Sequence, residues 1–354
     1  MDEFSSEKGL VAQSVTTLQP DDPIEGMIIG KSAAIQQVIA AARKIASHAT
    51  ATVLIQGESG TGKDVLARAI HELGRTTTSP GSLFIPINCA AIPETLLESE
   101  LFGVEAGAYT DAKVSRDGWL SRAHRGTLFL DEIGSMPLFL QAKLLRVLET
   151  RSFRRVGGMK EIHVNLRIIS ATNTDLQAAV ARKAFRQDLF YRLNGFPIYM
   201  PPLRERREDL PLLIEHFLRR VSANRGEPLT VSPDAMRLME SYSWPGNVRE
   251  LLNAIERGDI LCDNNVIQPK DILSSLPVTP QYADQQLIEL LSKLQFPENG
   301  LDLPALLSTI ERSFIQEALK RCGGNQVHAA QLLSLSRDQL RYRLLEKAVR
   351  QLTD

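Results

Sequence analysis

The run TVLIQGESGTGKDVLARAIHELG, residues 52–74, restricts the fold more than any other part of the chain. A β-rich stretch meets a glycine loop of the form G-x-x-x-x-G-K, and an apolar-periodic helix follows at once. Gly57, Gly60 and Gly62 let the backbone curl so that its N–H groups face phosphate oxygens. The start of the helix adds favourable partial charge. Lys63 supplies a cation for the outer phosphates of a nucleotide. The expected cradle is therefore Gly57, Glu58, Ser59, Gly60, Thr61, Gly62, Lys63 and Asp64. Position 64 departs from the general pattern, because Asp stands where a Ser or Thr hydroxyl usually meets magnesium. A strand–loop–helix unit of this kind belongs to a parallel sheet covered by helices.

GTLFLDE, residues 126–132, supplies a second strand ending in Asp131 and Glu132. Alone, such an acidic pair often does no more than cap a helix. Behind a phosphate loop it implies ATP hydrolysis, with Asp131 holding Mg²⁺ and Glu132 polarising the attacking water. ATP and Mg²⁺ are the expected nucleotide and metal.

Further strands read as LFIPIN (83–88) and LRIISAT (166–172), and LFLQAKLLRVLET (138–150) has helical periodicity. The fold class is α/β, a parallel sheet flanked by helices over residues 24–200. Residues 1–23 are polar and read as a flexible arm, 201–276 as a helical subdomain, and 277–302 as a Pro-containing linker. A separate helical domain is expected over 303–354. Cys89, Cys262 and Cys322 lie far apart with no C-x-x-C, which argues against zinc and for a reducing compartment. No apolar run reaches the roughly 18 residues of a membrane span. The amino terminus is acidic and is no signal peptide, so the expected location is cytoplasmic.

Net charge is −1, so any nucleic-acid surface must be local. Residues 321–347 read as helix, short turn, helix, with Asn325 as an N-cap. RDQLRYRLLEK (337–347) places Arg337, Arg341 and Tyr342 on one exposed region, with Arg343 a further phosphate contact. Double-stranded DNA, entered through the major groove, is the expected partner of such a basic helix-turn-helix. A basic dimerising hairpin is the alternative. LPALLSTIERSFIQEAL (303–319) is suited to pair two copies.

GAYTDA, residues 107–112, fits no chemistry of its own. It joins an aromatic ring, a hydroxyl and a carboxylate to small residues, a composition suited to transient protein contact. Together with GESGTGKDVLARAIH, INCAAIPETLLESELFG, GTLFLDEI, LQAKLLRVLE, RIISATN, FRQDLFYRLN, PPLRERREDLP and WPGNVREL it resembles one family block by block. That family is the AAA+ bacterial enhancer-binding proteins, which activate the sigma-54 form of RNA polymerase. The resemblance covers about residues 24–276, and the last segment resembles the family's Fis-like DNA-binding domain. An acidic residue after the phosphate-loop lysine is common there, so Asp64 is a mild departure.

The resemblance implies roles at matching positions. Asn88 would hold Glu132 by a hydrogen bond until the site is assembled, although a turn-forming Asn reads equally well. Thr172 and Asn173 would sense the γ-phosphate. Arg186 and Arg192 would act as arginine fingers across a subunit boundary, where the residues alone suggest a solvated helix face. Arg249 would touch nucleotide from the lid, or else form a lid salt bridge. MIIG (27–30), with Ile29, would pack near adenine, or simply belong to the core.

The implied assembly is a ring, a hexamer by family habit. Gly107, Ala108, Tyr109, Thr110, Asp111 and Ala112 would engage sigma-54 RNA polymerase and drive the closed-to-open promoter transition. Tyr109 keeps the aromatic ring of the usual GAFTGA, whereas Asp111 replaces its second glycine with a charge. An alternative is therefore a regulator that binds ATP and DNA but is no longer coupled to sigma-54. The GAYTDA loop and the helix-turn-helix count against a general AAA+ remodeller. About 25 residues ahead of the ATPase cannot fold into a receiver domain, so a regulatory protein acting in trans is expected.

Overall fold

A computed structural model describes residues 23–77, 81–108, 114–273 and 302–333, with 335, 337 and 339–341. The arm up to residue 22, the linker up to residue 301 and the loop tip (Tyr109, Thr110, Asp111, Ala112) lie outside the described residues, as do Tyr342 and Arg343. The chain divides into two compact units, 1–277 and 278–354.

The first unit opens with α1 (Pro23–Met27) and α2 (Ala33–Ala46), the latter capped by the Ser32 hydroxyl. Then come β1 (Val53–Gln56), α3 (Lys63–Thr77), β2 (Phe84–Asn88), α4 (Glu94–Phe102) and α5 (Trp119–Arg122). β3 (Thr127–Asp131) and α6 (Leu138–Thr150) lead to a hairpin of β4 (Ser152–Arg154) and β5 (Glu161–His163). β6 (Arg167–Thr172), α7 (Leu176–Ala181), α8 (Gln187–Leu193) and β7 (Phe196–Tyr199) complete the sheet, whose order is β2-β3-β6-β1-β7. Every pairing in it is parallel.

Successive side chains of a strand face opposite ways, and the core divides accordingly. Leu54, Leu128, Leu130 and Ile168 bury against Leu101, Leu140, Leu144 and Leu148. Val53, Ile55, Phe129, Ile169 and Ala171 bury against Ile35, Ile39, Leu66 and Ile70 from α2 and α3. All six residues of β6 are buried, as a central strand covered on both faces requires. β7 is at the edge, and this permits Pro197, which has no N–H for a further strand.

The lid follows as α9 (Leu210–Arg225), β8 (Thr230–Val231), α10 (Pro233–Ser241), α11 (Asn247–Leu261), β9 (Val266–Ile267) and α12 (Pro269–Leu273). Its one departure from an all-helical lid is the two-residue parallel pairing of β8 with β9. Trp244 is its buried anchor, and the indole N–H donates to the Met239 carbonyl at 2.9 Å.

In the second unit α13 (Leu303–Arg321) meets α14 (Gln326–Leu332) around Ile315, Ala318, Ala329, Ala330 and Leu340. The expected cap is present, since the Asn325 side chain accepts N–H bonds from Val327 and His328.

Candidate functional site

The carboxyl ends of β1, β3 and β6 deliver the phosphate loop, Asp131 and Thr172 to one edge of the sheet. Gly57 N–H donates to the Thr172 carbonyl at 3.2 Å, so the loop starts pinned to β6. Gly60 and Gly62 have φ of 76° and 96°, the left-handed region that favours glycine. At Gly60 the need is also steric, because a Cβ there would stand 2.3 Å from the Gly246 carbonyl oxygen of the lid.

Lys63 is buried, and its ammonium donates to the carbonyls of Gly57 (2.9 Å) and Glu58 (3.0 Å). Burial lowers its pKa, while Glu132 and Asp131 act in the opposite sense. Asp131 is half-buried, and desolvation raises its pKa although the Glu132 N–H and Lys63 favour the anion. Among the described residues, only the Glu132 N–H bonds the Asp131 carboxylate, at Oδ1 and 3.0 Å. Glu132 itself has φ 52°, an uncommon left-handed conformation at a site-bearing residue. Cys89 is buried nearby, and burial with the charge of Asp131 and Glu132 pushes its thiol pKa up to about 12. That cysteine is inert packing.

Asn88 pairs in register with Asp131 on the neighbouring strand. The hydrogen bond expected from it to Glu132 is not formed. Its Oδ1 instead accepts the N–H groups of Ala90 and Ala91 at 2.9 and 3.1 Å, the turn-forming alternative. Thr172 Oγ1 likewise takes the Thr174 N–H at 3.0 Å, while Asn173 is exposed at the strand end.

The lid meets the phosphate loop directly. Arg249 N–H donates to the Gly60 carbonyl, and its guanidinium reaches Ser59 Oγ at 3.1 Å. Other lid contacts were not foreseen from sequence. Arg204 clasps Glu58 with two bonds of 2.6 and 2.8 Å. Arg206, buried, donates to the Thr61 carbonyl at 3.0 Å. Asn247, fully buried with φ 55°, donates to Glu58 and to the Ser59 carbonyl while accepting the Leu203 N–H. Asp209, also fully buried, accepts from Ser32 N–H (2.8 Å) and Ser32 Oγ (2.7 Å). The charge cluster RERRED and the Gly-Asn of WPGN were the available signals, hidden because both read equally as helix breaks.

Ile29 lines a largely apolar cavity of about 180 Å³ together with Val65, Met200, Leu213 and Phe217. Thr61 and Gly62 form its floor toward the phosphate loop. Arg186 and Arg192 stand apart from this group, with no hydrogen bond or ion pair to the phosphate loop, Asp131 or Glu132 of their own chain. Arg186 caps α8, its N–H donating to fully buried Gln141 and its guanidinium gripping Asp188 at 2.7 Å. Arg192 is exposed and donates to the Leu148 carbonyl at 3.2 Å.

Of GAYTDA, Gly107 and Ala108 are described. The neck beneath the loop is tied across its two arms. Arg155 bridges Glu105 (3.1 Å) and Asp117 (2.7 Å), and Ser115 Oγ donates to Glu105 at 2.8 Å. Gly157, φ 76°, lies so close that a Cβ there would stand 2.5 Å from Ala108 Cβ. The β4–β5 connection thus abuts the loop. In the second unit Arg337 and Arg341 are both exposed and helical.

A phosphate loop after β1, an acidic pair after β3 and a helical lid closing on the loop define an AAA+ nucleotide-binding module. The sigma-54 interaction domain matches residues 28–199, the AAA+ ATPase lid domain 204–287, and the Fis family of bacterial regulatory proteins 306–346. Regulatory protein AtoC of Escherichia coli is 45% identical over 325 residues, 92% of this chain and 68% of AtoC. The Nif-specific regulatory protein of Herbaspirillum seropedicae is 44% identical over 334 residues, 90% of this chain and 61% of that protein. A crystal structure of NtrX from Brucella abortus in complex with ATP superposes with TM-score 0.65 at 34% identity, covering 90% of this chain and 69% of that one. The chain belongs to the sigma-54-dependent transcriptional activators, with an AAA+ domain, its lid and a Fis-type helix-turn-helix.

Proposed function

We propose that this protein hydrolyses ATP in a homo-oligomeric ring, bound to DNA upstream of a promoter, and remodels sigma-54 RNA polymerase from the closed to the open complex. The observation that carries the reading is the convergence of Lys63, Asp131, Glu132 and lid Arg249 on one phosphate loop in a member of this family. Loop N–H groups and Lys63 hold the phosphates, and Ile29 packs on the base. Asp131 fits a magnesium ion, because one carboxylate oxygen has no hydrogen bond to a described residue and Asp64 adds another carboxylate at the start of α3. Among the described residues no cluster of three or more ligands could hold a metal by itself. When bound, the ion neutralises charge on the transferring phosphoryl group. Glu132 accepts the proton of the attacking water.

Arg186 and Arg192, unengaged with their own phosphate loop, serve a neighbouring subunit. Exposed Tyr191 and Phe139, on α8 and on the α6 that packs against it, support an apolar seat for that copy. The neck crosslinked by Arg155 carries Tyr109 and Thr110 to the polymerase, and Arg337, Arg341, Tyr342 and Arg343 face DNA. A cytoplasmic location and control by a protein in trans complete the reading. Among the described residues no helix is long and apolar enough to cross a membrane.

Promoter opening by purified sigma-54 polymerase tests it. Wild type is expected to open promoters with ATP, Glu132→Gln to bind ATP and fail, and Thr110→Ala to hydrolyse ATP without opening. Promoter opening by Thr110→Ala at the wild-type level would sink the coupling role of the loop. ATPase without opening in wild type would favour the uncoupled regulator, with Asp111 as the cause.

A further inference from the structure

The phosphate loop occupies the carboxyl edge of the sheet. At the opposite edge, where β3 and β6 begin and the chain enters β2, lies a concavity of about 560 Å³. Ser82, His124, Arg125, Asn165 and Arg167 line it. It continues into a narrower recess beside His71 and Arg75. No Asp or Glu is among the described lining residues of either part. The carboxylate of Glu72 is engaged with Arg75 at 2.9 Å.

Two arginines give this cavity its character. Arg167 is 5% exposed, and its terminal nitrogens donate to the carbonyls of Ile45 (2.8 Å) and Ala46 (3.3 Å) at the end of α2. Its buried Nε has no hydrogen-bond partner. Burial brings its pKa down to about 10, with no carboxylate opposing the shift. Helix-end carbonyls offset only part of the cost of such a charge, and buried charges are ordinarily paired. Arg125 adopts φ 61°, uncommon for a residue with a long side chain. Its N–H donates to the Asn165 carbonyl at 2.6 Å, which fixes this turn at the mouth of the cavity. The Arg125 side chain has no hydrogen bond or ion pair with a described residue. A chain of net charge −1 thus gathers three arginines and two histidines around one concavity with no Asp or Glu among its described lining residues, Glu72 being taken up by Arg75.

We propose that this cavity binds a small multivalent phosphate anion, held by Arg125 and Arg167 with Asn165 and His124 as further donors. Guanidinium forks match phosphate oxygens in geometry, and charge-assisted bonds in a recess are the strong ones. The phosphate is either free, as pyrophosphate, or the tail of a nucleotide. The cavity is separate from the phosphate loop in both residues and sheet edge.

The test uses the full-length chain with Lys63→Ala, which silences the phosphate loop, titrated calorimetrically with sodium pyrophosphate and, separately, with ATP. The comparison is the same chain carrying Arg125→Asn, since Asn tolerates the left-handed backbone and the variant keeps its fold. Substituting Arg167 would unsettle the end of α2 and is avoided. Pyrophosphate is expected to bind, and Arg125→Asn to weaken it by about 10- to 100-fold, the loss of one charged hydrogen bond. Tighter binding of ATP than of pyrophosphate would assign a nucleotide tail, and equal or weaker binding a free phosphate. Absence of binding by both anions, or affinity unchanged by Arg125→Asn, overturns the proposal.

Discussion

Arg204 holds Glu58 through both terminal nitrogens, at 2.8 and 2.6 Å, and so ties the lid to the second residue of the phosphate loop. The hydrogen bonds from Arg204 hold the Glu58 carboxyl below the usual range. Both side chains are partly exposed, which limits the stability of the pair to about 1 kcal/mol or less. Its importance lies in closing the lid.

Arg204→Ala is therefore expected to leave the melting temperature nearly unchanged and to weaken ATP affinity by roughly 3- to 10-fold, the reach of about 1 kcal/mol. Arg204→Lys should rescue little, because an ammonium cannot span both carboxylate oxygens. Calorimetric titration with a slowly hydrolysed ATP analogue measures this. Unchanged affinity in Arg204→Ala would show that the ion pair does not set lid closure.

Asp131→Asn should stabilise the nucleotide-free protein while abolishing hydrolysis. Burial raises the folded pKa of Asp131 above its ordinary 3.8. Between those two values the folded state binds more protons than the unfolded one, so stability falls as pH rises through the window. Near neutral pH the full penalty is present, and Asn removes it while keeping the acceptor for the Glu132 N–H. A rise of about 1–3 °C in melting temperature at pH 7 is expected. The gain should shrink as pH falls through the folded pKa. A variant that melts lower than wild type at pH 7 contradicts this account.

If Arg192 completes the site of a neighbour, Arg192→Ala should lower turnover by about 10³-fold or more. Mixing it with Lys63→Ala subunits should restore part of the activity, since each supplies what the other lacks. Specific activity of the wild type should also climb with protein concentration. Stable mixed rings with no recovered turnover would argue against a shared site.

Arg341→Ala separates two modes of DNA contact. Loss of a phosphate contact should reduce the slope of log affinity against log salt by about 0.9. Loss of a base contact should cost about 1–3 kcal/mol on the cognate site alone. Electrophoretic titration of cognate and random duplexes at several salt concentrations distinguishes them, and no change in either quantity removes Arg341 from the interface.

The phosphate loop, the acidic pair and four of the five sheet strands were legible because each depends on a short contiguous run. β7 was not, since Phe196–Tyr199 lies between Gly195 and the pair Pro201–Pro202 and so reads as part of a loop. The β4–β5 hairpin escaped notice because its arms are three residues each. Asn88 shows a different limit. Strand position put it beside Asp131, but its Oδ1 accepts the local N–H groups of Ala90 and Ala91, and that turn orients the side chain without a bond from its amide to Glu132. Arg204, Arg206, Asp209 and Asn247 were illegible for a further reason. Their partners Glu58, Thr61 and Ser32 are distant in sequence, and the RERRED and WPGN patterns do not say which residues they meet.

Asp209 lies at the start of α9, between the sheet and the body of the lid. It fastens the lid to Ser32, at the entrance to α2, as well as to the segment that carries Ile29. A lid attached only through the chain after β7 could swing outward like a door on one hinge. The Ser32 contact adds a second fastening beside that connection, so opening is expected to run as a short sliding of packed surfaces rather than a free swing.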